Sequence, residues 1–362
     1  MTPPPEPPPR RDTTAAPDAA ATRALGHRLR HDSASPATAS PSTHVPSRPG
    51  SVVWGVIPNE RAAVVTVGSG TVLQIDTVSQ QGITTDAHPV AFFGALGVPA
   101  EEILDDVIAV FEEVERPPWG GHVLTGPVHV EGAGPGDALE IRIHAAKLRV
   151  EYGVNRGRPG SGVLADLLEE EWVRLLRTDG ERFTLVDGVT VPQAPFPGIV
   201  ALAPPAAAGE VTSRPPGRWG GNLDLRELTA GSRLFLPVHT AGAQLYLGDP
   251  HAAQGDGEVN GTAIEHSCTF TVEVLLHRGA ATRWPVAATP THLIPMGIDE
   301  DLDTALEIAV TEAVQLLVGY GRGALGVADA YALCSIGVDF AVTEAVNATK
   351  VVHARIPRSL FA

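Results

Sequence analysis

The sequence predicts a mainly β protein, a β-sandwich-like body with a few peripheral helices. Three observations carry this. Apolar runs are short and broken by Gly or Pro, which reads as strands joined by tight turns. Several runs alternate with period two, as half-buried strands do. Strands also follow strands instead of alternating with helices, which disfavours a doubly wound parallel sheet.

The chain has 362 residues, 43% of them hydrophobic and 19% charged. That length supports one large core or two intimately packed ones. A net charge of −16 argues against nucleic acid or an anionic membrane as partner, since both attract basic surfaces. The two cysteines, Cys268 and Cys334, exclude a disulfide framework and a Cys-based zinc centre. No run of about 18 apolar residues suggests a membrane span. Arg10-Arg11 is not followed by the apolar stretch of a signal peptide, so a cytoplasmic location is expected.

Residues 1–43 are rich in Pro, Ala, Ser and Thr. This leader is expected to be disordered because it offers little apolar surface to offset ordering entropy. The folded domain, 44–362, opens with strands at Ser51–Ile57, Ala62–Val67 and Thr71–Val78. A helix is expected over Pro99–Val114, where Pro and two Glu occupy the first turn. HVLTGPVHVEG, beginning at His122, returns to strand character. In Ala138–Val150, Leu139, Ile141 and Ile143 alternate with Glu140, Arg142 and His144, so a half-solvated strand is expected. Val163–Arg177 reads as a second amphipathic helix, Phe183–Val191 as a hairpin around Asp187-Gly188, and PFPGIVALAPP as a buried strand. Cys268–Leu276 reads as a strand. Asp299–Val318 is the longest expected helix, with Val327–Ile336 another and Val351–Ile356 a closing strand.

Between Gly220 and Glu265 the chain concentrates Asn222, Asp224, Asp249, His251, Gln254, Asp256, Glu258 and Glu265 among Gly and short apolar runs. Turns alone explain Asp and Gly, but not a His, a Gln and two Glu in the same place. Asp256 and Glu258 are two apart, so an extended backbone points both carboxylates the same way. His251 on the preceding turn completes a His-plus-carboxylate set of the kind that binds zinc or a similar divalent ion. A second group is His122, His129 and Glu131. There is no GxxxxGK[ST], no GxGxxG opening a helix and no GxSxG elbow, which removes phosphate binding and elbow-serine chemistry.

These two stretches, HVLTGPVHVEGAGPGDALEI and GGNLDLRELTAGSRLFLPVHTAGAQLYLGDPHAAQGDGEVNGTAIE, resemble the acetamidase/formamidase family, as do PFPGIVALAP and YALCSIGVDFAVTEAVN. The resemblance spans about His44 to Ile356. The matching positions are His122, Gly126, Pro127, Glu131 and Gly132, then Asn222, Asp224, Gly248, Asp249, His251, Gln254, Asp256, Gly257 and Glu258. The leader and the stretch at 99–114 depart from the family pattern.

The resemblance implies a β-sandwich-rich fold and hydrolysis of small linear amides to carboxylate and ammonia. It also implies a homo-oligomer and a divalent metal, zinc being favoured. Within that frame His122, Asp224 and His251 are expected to hold the metal. The base is expected among Glu131, Glu258 and Asp256, and Asn222, Gln254 and Asp249 are expected to position the substrate. A non-catalytic sandwich that binds a small amide or metal, and a hydrolase of cyclic amides, are the alternatives.

Overall fold

The structure, a computed structural model, describes residues 16–31, 43–83, 87–118, 121–321 and 323–361. Among them two large sheets face each other. The first has nine strands in the order Thr43–Val45, Thr71–Asp76, Cys268–His277, Ala138–Leu148, Arg233–Pro237, Val286–Ala288, His292–Asp299, Lys350–Pro357 and Asp339–Glu344. The second has six: Gly220–Asn222, Phe196–Ala201, Leu245–His251, Val123–Val130 and Val52–Trp54, with Val65–Val67 pairing in parallel with Val123–Val130. Most pairings are antiparallel, as short Gly-broken connections require.

The inner faces meet in one apolar core. Leu139, Ile141, Ile143, Val272 and Val274 from the first sheet pack with Val128, Val130, Phe196, Val200, Leu245 and Leu247 from the second. Each such buried side chain contributes about 1.5–3 kcal/mol by leaving water, and this core holds the second sheet still beneath the polar residues at its end. The alternation in Ala138–Leu148 is as expected on the inner face. The other face is not solvated: Glu140 is fully buried, bonded by Arg142 Nε and His277 Nε2, both at 2.7 Å.

Among the described residues five helices lie outside the sandwich: α1 (Ala16–His31), α2 (Pro89–Ala95), α3 (Asp105–Glu113), α4 (Leu302–Tyr320) and α5 (Val327–Gly337). The last two match the sequence expectation, and the Asp301 carboxylate caps α4 through the Thr304 N–H. The Pro99–Val114 helix is real only from Asp105, because Ile103 and Leu104 are extended and a separate turn covers Ala100–Glu102.

Two expectations are overturned. Val163–Arg177 is not a helix: its second half, Trp172–Arg177, is a strand antiparallel to Tyr152–Gly157. Its apolar spacing fits both periods, and pairing to a ready strand edge decides. Val163, Leu164 and Leu167 are left exposed. The leader is helical over α1, which packs on α4. Leu25 and Leu29, one helical turn apart, are buried against it, and Thr22 Oγ1 donates to Glu312 Oε2 at 2.8 Å. Gly26 and Gly319 allow the close approach, since a Cβ at either would collide with the other helix's backbone. Thr43 opens the first strand, and the rest of the leader lies outside the described residues.

Candidate active site

The polar residues of the Gly220–Glu265 stretch converge at one end of the second sheet. Asn222 ends its strand, Asp224 follows it, and Asp249 and His251 end the neighbouring Leu245–His251 strand but one. Glu265 bridges to His251 across the adjoining backbone, and Glu258 arrives on the turn between them. Glu344, at the end of Asp339–Glu344, joins through a bridge to Gly257. Asp224, Asp249, His251, Glu258, Glu265 and Glu344 are all buried.

Three of these acids, Asp224, Asp249 and Glu258, have φ of 48°, 51° and 45°. Only two other described non-glycine residues, Ala243 and Gln244, share that left-handed conformation. Such backbone costs of order 1 kcal/mol or more and persists where surrounding structure enforces it, characteristically at functional sites. Here it turns the carboxylates inward.

His251 is the hub. Its Nε2 lies 3.3 Å from Asp249 Oδ2 and 3.6 Å from Glu265 Oε1, and its Nδ1 lies 3.9 Å from Asp224 Oδ1. His122 Nε2 approaches Asp249 Oδ2 to 3.9 Å, while its Nδ1 pairs with Ser213 Oγ at 3.0 Å. The Phe196 ring meets the His251 ring edge-on at 5.2 Å. Gly198 leaves the space these groups need, because a Cβ there would sit 2.8 Å from Asp224 Oδ1, from Asp249 O and from His251 Cε1.

Burying five carboxylates together is very unfavourable unless protons or a cation neutralise them. The proton affinities express this. Burial raises Asp224 and Glu265 well above the ordinary carboxylate range, and neighbouring carboxylates add to it. Burial, reinforced by Asp249 and Glu344, pushes Glu258 up to about 8 against the pull of His251. Burial also lifts Glu344 to about 7, although the Val346 and Asn347 N–H groups donate to it. Asp249 goes the other way: burial opposes its charge, but His251 and His122 beside it hold it down at about 2. His251 is raised despite burial, through Asp249 and Glu265, whereas burial lowers His122.

The cluster's polar atoms lack partners. Both Asp224 oxygens, Asp249 Oδ1, both His251 nitrogens, Asn222 Oδ1, Gln254 Oε1 and Glu344 Oε1 are buried without a hydrogen bond. One donor atom from each of Asp224, Asp249 and His251 lies within 4.8 Å of the others, and the same holds for His251, Glu258 and Glu265. Two donors on one zinc ion stand about 3.3 Å apart. His251 Nε2 and Asp249 Oδ2, 3.3 Å apart, meet that spacing, while His251 Nδ1 and Asp224 Oδ1, 3.9 Å apart, exceed it; a nitrogen-plus-carboxylate set suits such an ion.

The structure gathers Asn222, Asp224, Asp249, His251, Gln254 and Glu258 and sets His122 at the rim. Asp249, expected at the substrate, stands within the donor set. Gln254 Nε2 donates to Asp224 O at 2.8 Å, leaving only its oxygen unpartnered. Two expected bases are placed elsewhere. Glu131 is exposed beyond the far end of Val123–Val130, beside Gly68, because the strand carries it roughly 25–30 Å from His122. Asp256 is turned away from Glu258 and pairs with Arg355 Nη2 at 2.9 Å, since the left-handed turn at Glu258 breaks the extended geometry. Sequence reading left Glu265 and Glu344 without roles. Glu265 belongs to the same polar stretch, whereas no local pattern marks Glu344. A cavity of about 680 Å³ is lined by Arg61, His239, Thr240 and Gln244. It lies toward the other end of the Leu245–His251 strand, away from the acid cluster.

The chain is similar to known proteins. An acetamidase from Mycolicibacterium smegmatis is 28% identical over 230 residues, 47% of this chain and 57% of its own length. A formamidase from Methylophilus methylotrophus is 26% identical over 274 residues, 55% of this chain and 67% of its own. The chain thus aligns with only about half to two-thirds of the curated relatives' length. The crystal structure of an acetamidase from Bacillus halodurans superposes with a TM-score of 0.72 at 27% identity, covering 88% of this chain and 98% of that one. The model of the acetamidase/formamidase family matches residues 112–213 and 205–362, most of the folded body and every buried acid of the cluster, and the chain belongs to that family.

Proposed function

We propose that this protein hydrolyses short linear amides of the formamide and acetamide type to carboxylate and ammonia. One observation carries the reading: the Asp224, Asp249 and His251 donors converge, buried and without partners, beside Glu258. Those three residues hold a divalent cation, zinc by the nitrogen-and-carboxylate composition of the set. When bound, such a cation polarises a carbonyl and lowers the pKa of water beside it.

The chain's own residues do the rest. Glu258, buried beside the donor set, takes a proton from the attacking water. As the C–N bond breaks it returns that proton to the leaving nitrogen, which departs as ammonia. The unpartnered oxygens of Asn222 and Gln254 accept from the substrate NH2 and orient it. His122, held by Ser213, borders the set through Asp249. Burial excludes bulk water and strengthens each of these interactions.

The reading extends to a homo-oligomer in the cytoplasm. Exposed Val163, Leu164 and Leu167 in one loop, and Tyr331 and Ile336 on α5, favour self-association. Free, buried Cys268 and Cys334 suit a reducing compartment, and no described helix is long and apolar enough to cross a membrane. Ammonia release from formamide, acetamide, propionamide and a γ-lactam tests the activity. Zinc-loaded, folded protein that liberates ammonia from none of the linear amides refutes it, and turnover of the lactam alone transfers the reading to cyclic substrates.

A further inference from the structure

Behind the acid cluster lies a second polar constellation. Glu227, Asp256 and His353 each place a donor atom within 4.8 Å of the others. His353 is fully buried. Its Nδ1 pairs with Thr343 Oγ1 at 2.8 Å, which leaves Nε2 directed at Glu227 Oε1, 3.6 Å away and beyond hydrogen-bond range. Arg355, two residues along the same strand and so on the same face, reaches both acids. Its Nη2 is 2.9 Å from Asp256 Oδ2 and its Nη1 3.5 Å from Glu227 Oε1. Glu227 Oε2, Asp256 Oδ1 and His353 Nε2 remain buried and unpartnered. One buried imidazole nitrogen and two carboxylates form the donor chemistry of a divalent-cation site, with a guanidinium lying against it.

The neighbours of these residues matter. Glu227 follows Asp224 by three positions, Asp256 precedes Glu258 by two, and Thr343 precedes Glu344. Gly257 N donates to Thr343 O at 2.9 Å and Ala345 N to Gly257 O at 3.1 Å. Each member is therefore tied to a segment that carries a buried acid of the candidate active site. We propose that Glu227, Asp256 and His353 are a second cation site, filled in this chain by the Arg355 guanidinium, which clamps together the segments bearing Asp224 and Glu258. Arg355 is a positioning residue: it acts through the two acids it joins. Its planar fork suits two carboxylates approached at once, as a lysine would not.

The test removes the internal cation and asks whether an external one takes its place. Chelator-treated wild type, Arg355→Met and Arg355→Lys are dialysed against Zn²⁺ and their metal content is measured. Arg355→Met is expected to retain one more equivalent than wild type, and Arg355→Lys, which keeps the charge, no more than wild type. Adding His353→Ala to Arg355→Met removes the extra equivalent. Should Arg355→Met fail to fold, Arg355→Gln, neutral and hydrogen-bonding, replaces it. Equal zinc content in wild type and the folded neutral variant overturns the second site.

The clamp rests on the proposed amidase reading and has its own readout. In the neutral variant given a single equivalent of zinc, so that the second site stays empty, kcat falls roughly ten- to a hundredfold, the scale of a small displacement of reacting groups, while KM changes less than about twofold. Millimolar guanidinium restores part of the loss. Unchanged kcat, or a loss that guanidinium does not restore, overturns the clamp. Absence of turnover in wild type refutes the amidase reading, whereas the zinc count judges the second site independently.

Discussion

Gly198 and Asp224 share a boundary that admits no side chain: a Cβ on residue 198 would lie 2.8 Å from Asp224 Oδ1. The same atom would press on Asp249 O and His251 Cε1, also at 2.8 Å. Gly198→Ala is therefore expected to displace three site groups at once. Ammonia release should fall about a hundredfold or more while far-UV circular dichroism stays native. Wild-type turnover in the alanine variant would separate this cluster from the chemistry.

Two of the three expected bases stand in opposite settings, Glu258 buried among acids and Glu131 exposed. Glu258→Gln removes the proton carrier at nearly constant shape, and kcat should drop by about 10²–10⁴. Glu131→Gln should leave kcat within about twofold, as surface substitutions do. Steady-state kinetics on acetamide decides between them, and the reverse ranking would move the base to the surface site.

A cation bound as proposed would compete with protons for the cluster. Treatment with a chelator is expected to abolish most amidase activity and zinc to restore it, with a rise in melting temperature on loading. Full activity in protein whose metal content has been measured as negligible would require the carboxylates to activate water alone.

The metal-free protein should lose stability as pH rises. Glu258 and Glu344 bind protons more tightly when folded, at about 8 and about 7 against an ordinary 4.5, and Asp224 and Glu265 shift the same way. An acid raised on folding stabilises fully below its unfolded pKa, and that contribution disappears as pH climbs through the folded value. His251, also raised, has the same sign. His122, His239 and His266, all lowered by burial, oppose it, as three groups against five. Urea midpoints should therefore fall between about pH 5 and 8 in chelated protein and fall less with zinc present. A midpoint that rises across this window in chelated protein would contradict the burial of neutral acids.

α1 is held by few side chains. Leu29, 1% exposed, supports its docking on α4, and truncation of such a residue costs roughly 2–5 kcal/mol. Leu29→Ala should expose α1 to trypsin at Arg23, Arg28 and Arg30 well before the body is cut. Equal cleavage rates in wild type and variant would show that the helix is not docked in solution.

The sequence made the sandwich legible because period-two runs such as Leu139–Ile143 report burial directly. The donor set was legible because Asp224, Asp249, His251 and Glu258 lie within one Gly-broken stretch. Where it misled, a second period or a distant partner was involved. Val163–Arg177 satisfies helical spacing, yet Tyr152–Gly157 offers its second half a strand edge. α1 hides a two-leucine stripe in low-complexity sequence. Asp256 and Glu258 alternate on paper, but φ of 45° at Glu258 sends them to different sites. Glu344 enters only through the register of Asp339–Glu344 against Lys350–Pro357 and its bridge to Gly257, which no local pattern encodes.

That hairpin has a consequence for how the protein matures. Asp224 through Glu265 are translated well before Glu344 and Arg355, which close the acid cluster and its clamp. The contacts that complete the pocket span about a third of the chain, and long closures of this kind form late. If the cluster takes the proposed cation, tight capture would have to await the pairing of these final strands, and zinc uptake would report on that closure.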